Sequence, residues 1–389
     1  MTREEIKNLL NTIDNKEVVL ELSTGYGKTL MALEYINKQS PKSILIVVPR
    51  LVLINNWKDE INKWGYNTLL DKITFVTYVS LHKHSNMHYD IVCCDEAHHL
   101  SERCKEALVT IDSNYKVFLS ATIKKDLKWW LKDTYNKIRF INVSLKESIS
   151  NDVLPDPKVF LIPLKLCNAN STEILVKKNK NTKLEITCWY KDRWKYMKMY
   201  NCNIKCTPQQ YYNEISNDIE YWKKQSMYKS IFTNKWLKLC GDRLKWLSDQ
   251  KTSFVKVLLN HLKNYRTLTF CNSIAQTEEL GKYCINSKNK KSSEYLEMFN
   301  NKKIKHITSV NILNEGVNLS ECRIGIFACL NSSEVMVAQK NGRILRHKEP
   351  VIIIPYYKDT REEELVTKML ENYNPELVTT INNLEDIKI

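Results

Sequence analysis

The sequence predicts an α/β protein with two doubly wound parallel sheets and a mixed, largely helical region between them. Apolar runs of strand length alternate with helix-length segments over residues 1–150, and the alternation returns over residues 255–389. Near-continuous apolar strands are typical of parallel sheets that helices cover on both faces. Residues 151–254 break this pattern, and Pro155 and Pro157 lie near its start. A chain of 389 residues has room for two or three domains.

The first predicted domain has five strand candidates and one clearly patterned helix. The first apolar run leads into a turn that contains glycine, and the second run ends at Pro49. The strands are expected at residues 18–22, 43–48, 73–78, 89–94 and 115–120. After the glycine turn, apolar residues recur at helical spacing, and a helix is predicted with a buried face of Leu30, Leu33, Tyr35 and Ile36.

The later elements are predicted in the same way. In the connecting region we expect a strand at 158–166 and mostly helix over 209–263. Between them, residues 174–206 interleave lysines with aromatic residues, which indicates either a surface that stacks on a nucleic-acid strand or a basic surface hairpin. The second domain is expected to have a helix at 274–284 and strands at 267–271, 306–308, 323–328 and 351–355.

The net charge of +15, from 59 basic and 44 acidic residues, points to a polyanionic partner. Lysine and arginine neutralise phosphates whatever the base sequence, so nucleic acid is the simplest such partner. A basic protein with no anionic partner is the other interpretation. The many lysine, asparagine and isoleucine residues suit an AT-rich genome, and a viral source is our expectation.

Cysteine usage and the absence of apolar stretches long enough for a signal segment or a membrane span predict an intracellular protein, in a prokaryote or an infected host cell. The 12 cysteines are scattered, the first residues lead into no apolar signal segment, and no apolar run approaches a membrane span. We therefore expect reduced thiols and no membrane partner. Cys188, Cys202 and Cys206 lie close together, but their irregular spacing favours buried thiols over a zinc site.

A phosphate-binding loop is predicted between the first strand and the first patterned helix. Glycines at 25 and 27 allow backbone N–H groups to point at phosphate oxygens, and the next helix presents its positive end to the anion. Lys28 adds a charge at the terminal phosphates of ATP, and Thr29 offers a hydroxyl to Mg²⁺. The expected nucleotide contacts are Thr24, Gly25, Tyr26, Gly27, Lys28 and Thr29.

An acidic pair follows the fourth strand, at the sheet edge where α/β proteins bind ligands. Asp95 is the candidate Mg²⁺ ligand, and Glu96 is the candidate general base for the attacking water. Two carboxylates at a buried strand end are costly, which argues for a functional role.

With these two motifs in order, the chain resembles the superfamily 2 helicases and translocases. It is similar to their DEAH-type branch, which includes the DNA helicases of restriction enzymes and related phage proteins. The resemblance runs over roughly residues 18–145 and 255–355, and it implies two RecA-like domains with ATP bound between them. The domains are then residues 1–150 and 255–389, with 151–254 as a connecting region.

The resemblance also implies roles for residues in further motifs. Segments 47–50, 77–81 and 269–273 look like family motifs, and they assign strand contacts to Pro49, Arg50, Thr77 and Ser273. Thr308, which precedes the segment that resembles motif V, is assigned a strand contact as well. Residues 120–122 match the motif that links the ATP state to strand movement, so coupling falls to His98, Ser120 and Thr122. Segment 314–318 resembles the family's motif V and places Glu315 and Gly316 at the nucleotide.

The octapeptide 339–346 matches the family pattern QxxGRxxR at all four fixed positions. Gln339, Arg343 and Arg346 recur at helical spacing and can share one face. Guanidinium groups bind phosphate with two parallel hydrogen bonds, and across a domain cleft they can stabilise charge on the γ-phosphoryl group. We therefore predict that these three residues complete the catalytic site.

Three departures from the family pattern bear on function. Leu22 stands where the strict loop pattern has glycine, and Asn318 stands where the family more often has aspartate. Few residues precede the loop, and no glutamine motif that reads adenine is evident, so triphosphates other than ATP are candidates as well.

Three functions remain open from the sequence. The leading hypothesis is an ATP-dependent DNA helicase or translocase that acts on a single strand or a tailed duplex, with replication, recombination or repair proteins as further partners. An RNA helicase is the second hypothesis, and a nucleic-acid-binding scaffold with a silent motor is the third. The lysine, the acidic pair and both arginines are all present, which argues against the scaffold.

Overall fold

The computed structural model describes residues 1–310, 319 and 322–389. Those residues form three sheets, of six, seven and three strands. The predicted pair of parallel-sheet α/β domains is confirmed, because every strand pair in both large sheets is parallel. Among the same residues, no helix combines the length and the apolar character that crossing a membrane requires.

The first domain is a six-stranded sheet in the order β3-β2-β4-β5-β1-β6. Helices cover both faces and bury an apolar core on each side. The strands are β1 (Glu17–Leu22), β2 (Ile44–Val48), β3 (Ile73–Thr77), β4 (His88–Cys94), β5 (Asp112–Ser120) and β6 (Arg139–Val143). The helices are α1 (Arg3–Thr12), α2 (Lys28–Lys38), α3 (Val52–Lys63), α4 (Glu102–Thr110), α5 (Lys125–Thr134) and α6 (Leu145–Ser150).

The second domain is a seven-stranded sheet in the order β12-β13-β11-β14-β15-β7-β16. Its strands are β7 (Lys158–Leu164), β11 (Thr267–Phe270), β12 (Cys284–Ile285), β13 (His306–Ser309), β14 (Ile324–Phe327), β15 (Val351–Tyr357) and β16 (Val378–Thr380). Its helices are α10 (Thr252–His261), α11 (Ile274–Leu280), α12 (Ser292–Asn300), α13 (Glu334–Ile344) and α14 (Arg361–Leu370).

Strand β7 belongs to this second sheet, although the sequence placed it in the connecting region. It pairs with β15 and β16, strands that follow it by roughly 190 and 220 residues, so local sequence order could not reveal the partnership. The region between β7 and α10 is therefore an insertion into the second domain.

The insertion contains its own small sheet and a long helical hairpin. The sheet has the order β8-β10-β9, formed by β8 (Glu173–Lys177), β9 (Glu185–Trp189) and β10 (Asn201–Cys206). The helices are α7 (Arg193–Tyr196), α8 (Pro208–Tyr228) and α9 (Thr233–Gln250). Cys188, Cys202 and Cys206 pack in the apolar core of this sheet.

A fully buried ion pair ties the end of the insertion to the second domain. Lys251, between α9 and α10, places Nζ 2.5 Å from Oε1 of Glu362 and donates to the carbonyl of Pro355 at 3.2 Å. Glu362 also accepts from the N–H of Tyr357. Both charges therefore have polar partners inside the protein.

Substituting Lys251→Met is expected to lower the free energy of unfolding by about 3–5 kcal/mol, because it leaves a buried carboxylate without its cation. The matched control is Lys256→Met, which removes an exposed pair with Glu279 and should cost less than about 1 kcal/mol. Chemical denaturation measures both changes. Equal losses in the two variants would contradict the assigned role of the buried pair.

Candidate functional site

A cavity of about 430 Å³ lies between the two large domains. The first domain lines it with the predicted phosphate loop, the acidic pair and one face of α3. The second domain contributes Leu319, Arg343 and Arg346. The cavity therefore brings together motifs that lie about 300 residues apart in the chain.

The phosphate loop joins β1 to α2, as predicted. Gly25 and Gly27 have φ of 91° and 105°, values that side-chain-bearing residues rarely adopt. Gly27 caps α2, whose first residue is Lys28, so the positive end of the helix faces the cavity. Leu22 is the last residue of β1 and is fully buried in the core, which explains why an apolar residue is accommodated there.

Helix α1 braces this loop in a way that the sequence did not predict. Arg3 Nε donates to the carbonyl of Tyr26 at 2.8 Å, and Arg3 Nη2 donates to the carbonyl of Gly25 at 3.3 Å. The hydroxyl of Tyr26 donates to the carbonyl of Met1. These bonds occupy the carbonyls of Gly25 and Tyr26, and the N–H of Tyr26 donates to the carbonyl of Ser23 at 3.1 Å, so the loop is fixed by hydrogen bonds from both sides.

The Asp95 carboxylate is fixed by two hydrogen bonds. Oδ2 accepts from the indole N–H of Trp57 at 2.9 Å, and Oδ1 accepts from the N–H of Glu96 at 2.9 Å. Burial raises the pKa of Asp95, the charge of Glu96 raises it further, and the Trp57 bond and Lys28 act in the opposite direction. Trp57 is thus a positioning residue, and its contact with Asp95 at the end of β4 was not predicted.

Glu96 has the left-handed backbone conformation, with φ of 49°. Such strain in a residue with a side chain often marks a functional site. Its buried Oε2 has no hydrogen-bond partner among the described residues, and it lies 3.4 Å from Nδ1 of His98. Glu96 lines the cavity, so its carboxylate is suited to accept a proton from a bound water.

The three predicted coupling residues lie in contact. His98 Nδ1 is 3.1 Å from the hydroxyl of Ser120, and that hydroxyl donates to the carbonyl of Thr122 at 2.8 Å. A change at the acidic pair can therefore reach the segment after β5 through hydrogen bonds.

The second wall differs from the prediction in one respect. Helix α13 ends at Ile344, so Arg346 lies in the turn after the helix and not on its face. Arg343 and Arg346 both line the cavity, whereas Gln339 is buried outside the lining. Arg346 is exposed to solvent although it sits in a crowded cleft, where burial lowers its pKa and the Glu60 carboxylate raises it. The exposed guanidinium of Arg346 lines the cavity and is within reach of a ligand there.

The walls meet where Gly342 packs against Thr24. A Cβ atom at residue 342 would lie 2.2 Å from Cγ2 of Thr24 and 3.0 Å from its carbonyl carbon. Only glycine therefore fits at this position with the domains so close.

The residues present fit a triphosphate with Mg²⁺. Thr24 and Glu96 line the cavity, and Thr24 Oγ1 and Glu96 Oε2 are buried with no hydrogen-bond partner in the described part of the chain, as expected where a polar ligand completes the site. Asp95 and Thr29 offer one carboxylate and one hydroxyl, a set that suits Mg²⁺ held mainly by water and phosphate oxygens. Within the described ranges, no three His, Cys, Asp or Glu side chains cluster as a protein-only metal site. Glu315 and Gly316 lie outside the described residues.

The predicted strand contacts fall at the carboxyl ends of neighbouring strands, but not all are accessible. Arg50 is exposed after β2, and Thr77 ends the adjacent β3. Pro49 is half-buried. In contrast, Ser273 is buried and caps α11, and the buried hydroxyl of Thr308 donates to the carbonyl of Thr277.

Two families of known sequences match the chain. The family described as "Type III restriction enzyme, res subunit" matches residues 1–125, which carry the phosphate loop and the acidic pair. The family described as "Helicase conserved C-terminal domain" matches residues 250–348, which carry Arg343 and Arg346. The two matches cover the two walls of the cavity.

Two curated proteins are similar over part of the chain. The DNA 3'-5' translocase XPB2 of Sulfurisphaera tokodaii is 32% identical over 127 residues, which are 29% of this chain and 29% of that protein. The human DNA repair and recombination protein RAD54B is 25% identical over 170 residues, 34% of this chain and 18% of that protein. The chain therefore spans less than a third of the length of either relative.

Three solved structures share the fold. Dbp5 of S. cerevisiae bound to RNA and ADP BeF3 has a TM-score of 0.61 and 10% identity, and the match covers 97% of this chain and 88% of the Dbp5 chain. The Type ISP restriction-modification enzyme LlaBIII bound to DNA has a TM-score of 0.57 and 13% identity, and the match covers 99% of this chain and 31% of the LlaBIII chain. The Hef helicase domain of Pyrococcus furiosus has a TM-score of 0.51 and 13% identity, and the match covers 94% of this chain and 96% of the Hef chain.

Substituting Gly342→Ala is expected to separate the two walls of the cavity, because the added methyl group would overlap Thr24. Overpacking costs about 1–3 kcal/mol, so hydrogen exchange of the amides at residues 23–27 should accelerate about 10-fold or more.

Gly241→Ala is the matched control, since a Cβ there meets nothing within 4 Å and the residue lies inside helix α9. It should leave exchange at the loop unchanged and stabilise the helix by roughly 0.5–1 kcal/mol. Unaltered loop exchange in Gly342→Ala would show that the close contact does not hold the walls together.

Proposed function

Because the chain belongs to the superfamily 2 helicases and translocases, we propose that it is an ATP-driven motor on nucleic acid, specifically a DNA helicase or translocase. The observation that carries this proposal is the cavity itself. It has a phosphate loop and an acidic pair on one wall and two arginines on the other. A site divided between two domains links the state of the nucleotide to the distance between those domains.

In the proposed reaction, Lys28 and the N-terminal end of α2 bind the β- and γ-phosphates. Glu96 accepts a proton from the water that attacks the γ-phosphorus, and the bond from that phosphorus to the β–γ bridging oxygen breaks. Arg343 and Arg346 stabilise the charge on the transferred group. When bound beside Asp95 and Thr29, Mg²⁺ would neutralise charge on the phosphates.

Release of the γ-phosphate would remove the anion that bridges the two walls. The repulsion among Lys28, Arg343 and Arg346 then favours an open cleft, and the His98–Ser120 contact transmits the change to the first domain. Alternation between a closed and an open cleft would advance a strand held across both domains. We assign the coupling role to His98. This role, together with the sequence of residues 95–98, supports our placement of the chain in the DEAH-type branch.

We propose DNA as the substrate, with RNA as the second candidate. XPB2 and RAD54B are described as DNA proteins, whereas Dbp5 was solved with RNA. ATPase rates over single-stranded DNA, single-stranded RNA and tailed duplexes, followed by strand displacement, distinguish the two. Stimulation by RNA alone would assign an RNA motor, and nucleotide binding without any hydrolysis would assign the silent scaffold. The twelve free cysteines suit the proposed reducing, intracellular location.

Substituting Glu96→Gln or Lys28→Ala should each lower the ATPase rate by about 100-fold or more, because the first removes the proton acceptor and the second removes a phosphate-binding charge. Steady-state phosphate release measures the loss. The matched controls are Glu102→Gln and Lys42→Ala, both exposed residues outside the cavity lining, which should leave the rate unchanged. Retained turnover in either site variant would remove that residue from the mechanism.

Substituting Trp57→Phe should move the acid limb of the ATPase pH profile upward by roughly one pH unit. The indole bond lowers the pKa of Asp95, so its removal raises that pKa further above the usual carboxyl range. Metal binding needs the ionised carboxylate, and activity is therefore lost at a higher pH as the solution is acidified. The apparent Mg²⁺ requirement should rise in parallel.

Trp129→Phe is the control, because this tryptophan is exposed on α5 and does not line the cavity. It should leave the pH profile in place. A Trp57→Phe profile that is uniformly lower but not displaced would indicate a packing role alone.

A further inference from the structure

The helical hairpin of the insertion ends in an exposed apolar tip. Helices α8 and α9 pack against each other, and Lys229 with the 3₁₀ turn Ser230–Phe232 joins them. At this end the side chains of Met227, Tyr228 and Ile231 are 80%, 84% and 77% exposed. Large apolar side chains in a group at this level of exposure usually mark an interaction site.

Contacts between α8, the 3₁₀ turn and α9 hold the tip in place. The ring of Trp222 on α8 packs against Phe232, with ring centroids 5.2 Å apart, and the Lys235 ammonium of α9 lies over the same ring at 3.3 Å. The N–H of Lys229 donates to the carbonyl of Gln225, which closes the last turn of α8. Trp222 and Phe232 are thus half-buried in the hairpin, whereas Met227, Tyr228 and Ile231 are exposed.

The surface around the tip is strongly basic. Residues 221–238 include five lysines and no acidic residue. All five lysines are exposed, at positions 223, 224, 229, 235 and 238. The nearest acidic residues along α8 are Glu220, which is exposed, and Asp218, which pairs with Lys177. Five exposed lysines outweigh these two carboxylates, so the surface around the tip stays positive. An apolar tip within a ring of positive charge fits a partner that has flat apolar faces bordered by anions.

We propose that this tip binds nucleic acid at the point where a duplex separates into single strands. The terminal base pair offers an apolar face on which Tyr228, Met227 and Ile231 can stack, and the lysines lie where the flanking phosphates would be. Apolar side chains that enter a base step unstack it, so the tip would act as a wedge. Three side chains make too small an apolar face for stable insertion into a bilayer, which favours nucleic acid over a lipid surface.

This inference rests on the proposed motor function and adds the part that opens a duplex. The motor pulls one strand, and the tip blocks the paired strand from following. The predicted consequence is a split between two activities: strand separation depends on the tip, whereas the response to a single strand depends on the cleft and the two domains.

The test compares the full-length protein with the variant Met227→Ser, Tyr228→Ser, Ile231→Ser. The probes are a forked DNA duplex, the same single strand alone, and a fork with 2-aminopurine in its first base pair. The variant should bind the fork about 10-fold more weakly relative to the single strand, as expected when stacked bases are lost. Strand displacement should fall by a similar factor, and the 2-aminopurine signal of unstacking should disappear.

The control variant is Met87→Ser, Val109→Ser, Trp129→Ser, three exposed apolar residues of the first domain. It should behave as the unmodified protein does. Tyr228→Phe keeps the stacking ring and should retain displacement, whereas Tyr228→Ser should not. Because all three tip residues are exposed, an unchanged thermal unfolding midpoint is expected and confirms that each variant is folded.

Equal displacement by the tip variant and the unmodified protein would overturn the wedge. Tip-dependent binding to phosphatidylserine vesicles without any effect on the fork would overturn it in favour of a membrane surface. An unmodified protein without nucleic-acid-stimulated ATPase would instead overturn the proposed function, so the two failures are distinguishable.

Discussion

The close approach of α13 to the phosphate loop sets the width of the cavity, and the proposed chemistry depends on that width. One glycine, Gly342, makes it feasible, because a Cβ there would lie 2.2 Å from Cγ2 of Thr24. A Cβ at Gly25 would lie 3.9 Å from the carbonyl of Gly342, an ordinary contact, and Gly25 serves the loop through its positive φ. The contact brings the arginines of the second domain to a loop in the first. Any larger side chain at this junction would move guanidinium groups away from the phosphates, where hydrogen bonds are strongest at about 2.7–2.9 Å.

Contiguous motifs made much of the site predictable from the sequence. A glycine turn between a strand and a helix, or two acids after a buried strand, carries its local geometry with it, and the structure places both as expected. Arg3 and Trp57 were missed as contacts because each depends on how a helix packs. The indole of Trp57 reaches Asp95 only when α3 lies across the end of β4. The turn at Arg346 was missed for a different reason, since helix ends depend on backbone geometry that residue spacing does not encode.

The same distinction applies to the fold. Strands that alternate with helices were recognisable one by one, because burial on both faces leaves a continuous apolar run. The partnership of β7 was not, since its neighbours β15 and β16 follow the whole insertion and most of the second domain. Thr308 and Ser273 show that a motif can be recognised correctly although its side chain is not accessible. Their motifs were recognised, yet the hydroxyls satisfy the buried backbone and a helix cap, so a motif match does not by itself mean an accessible contact.

The placement of the insertion inside the second domain has a mechanical consequence. Both of its ends are anchored in the second domain, through β7 on one side and the buried Lys251–Glu362 pair on the other. If the cleft opens and closes as proposed, the hairpin would move with the second domain as a lever arm. Helix α8 has 21 residues and is about 31 Å long. A rotation of about 15°, the size of a known subunit rotation, would carry the end of such an arm about 8 Å, or roughly two nucleotide spacings of 3.4 Å. A small change in the angle of the cleft would thus become a displacement on the scale of the substrate's own repeat.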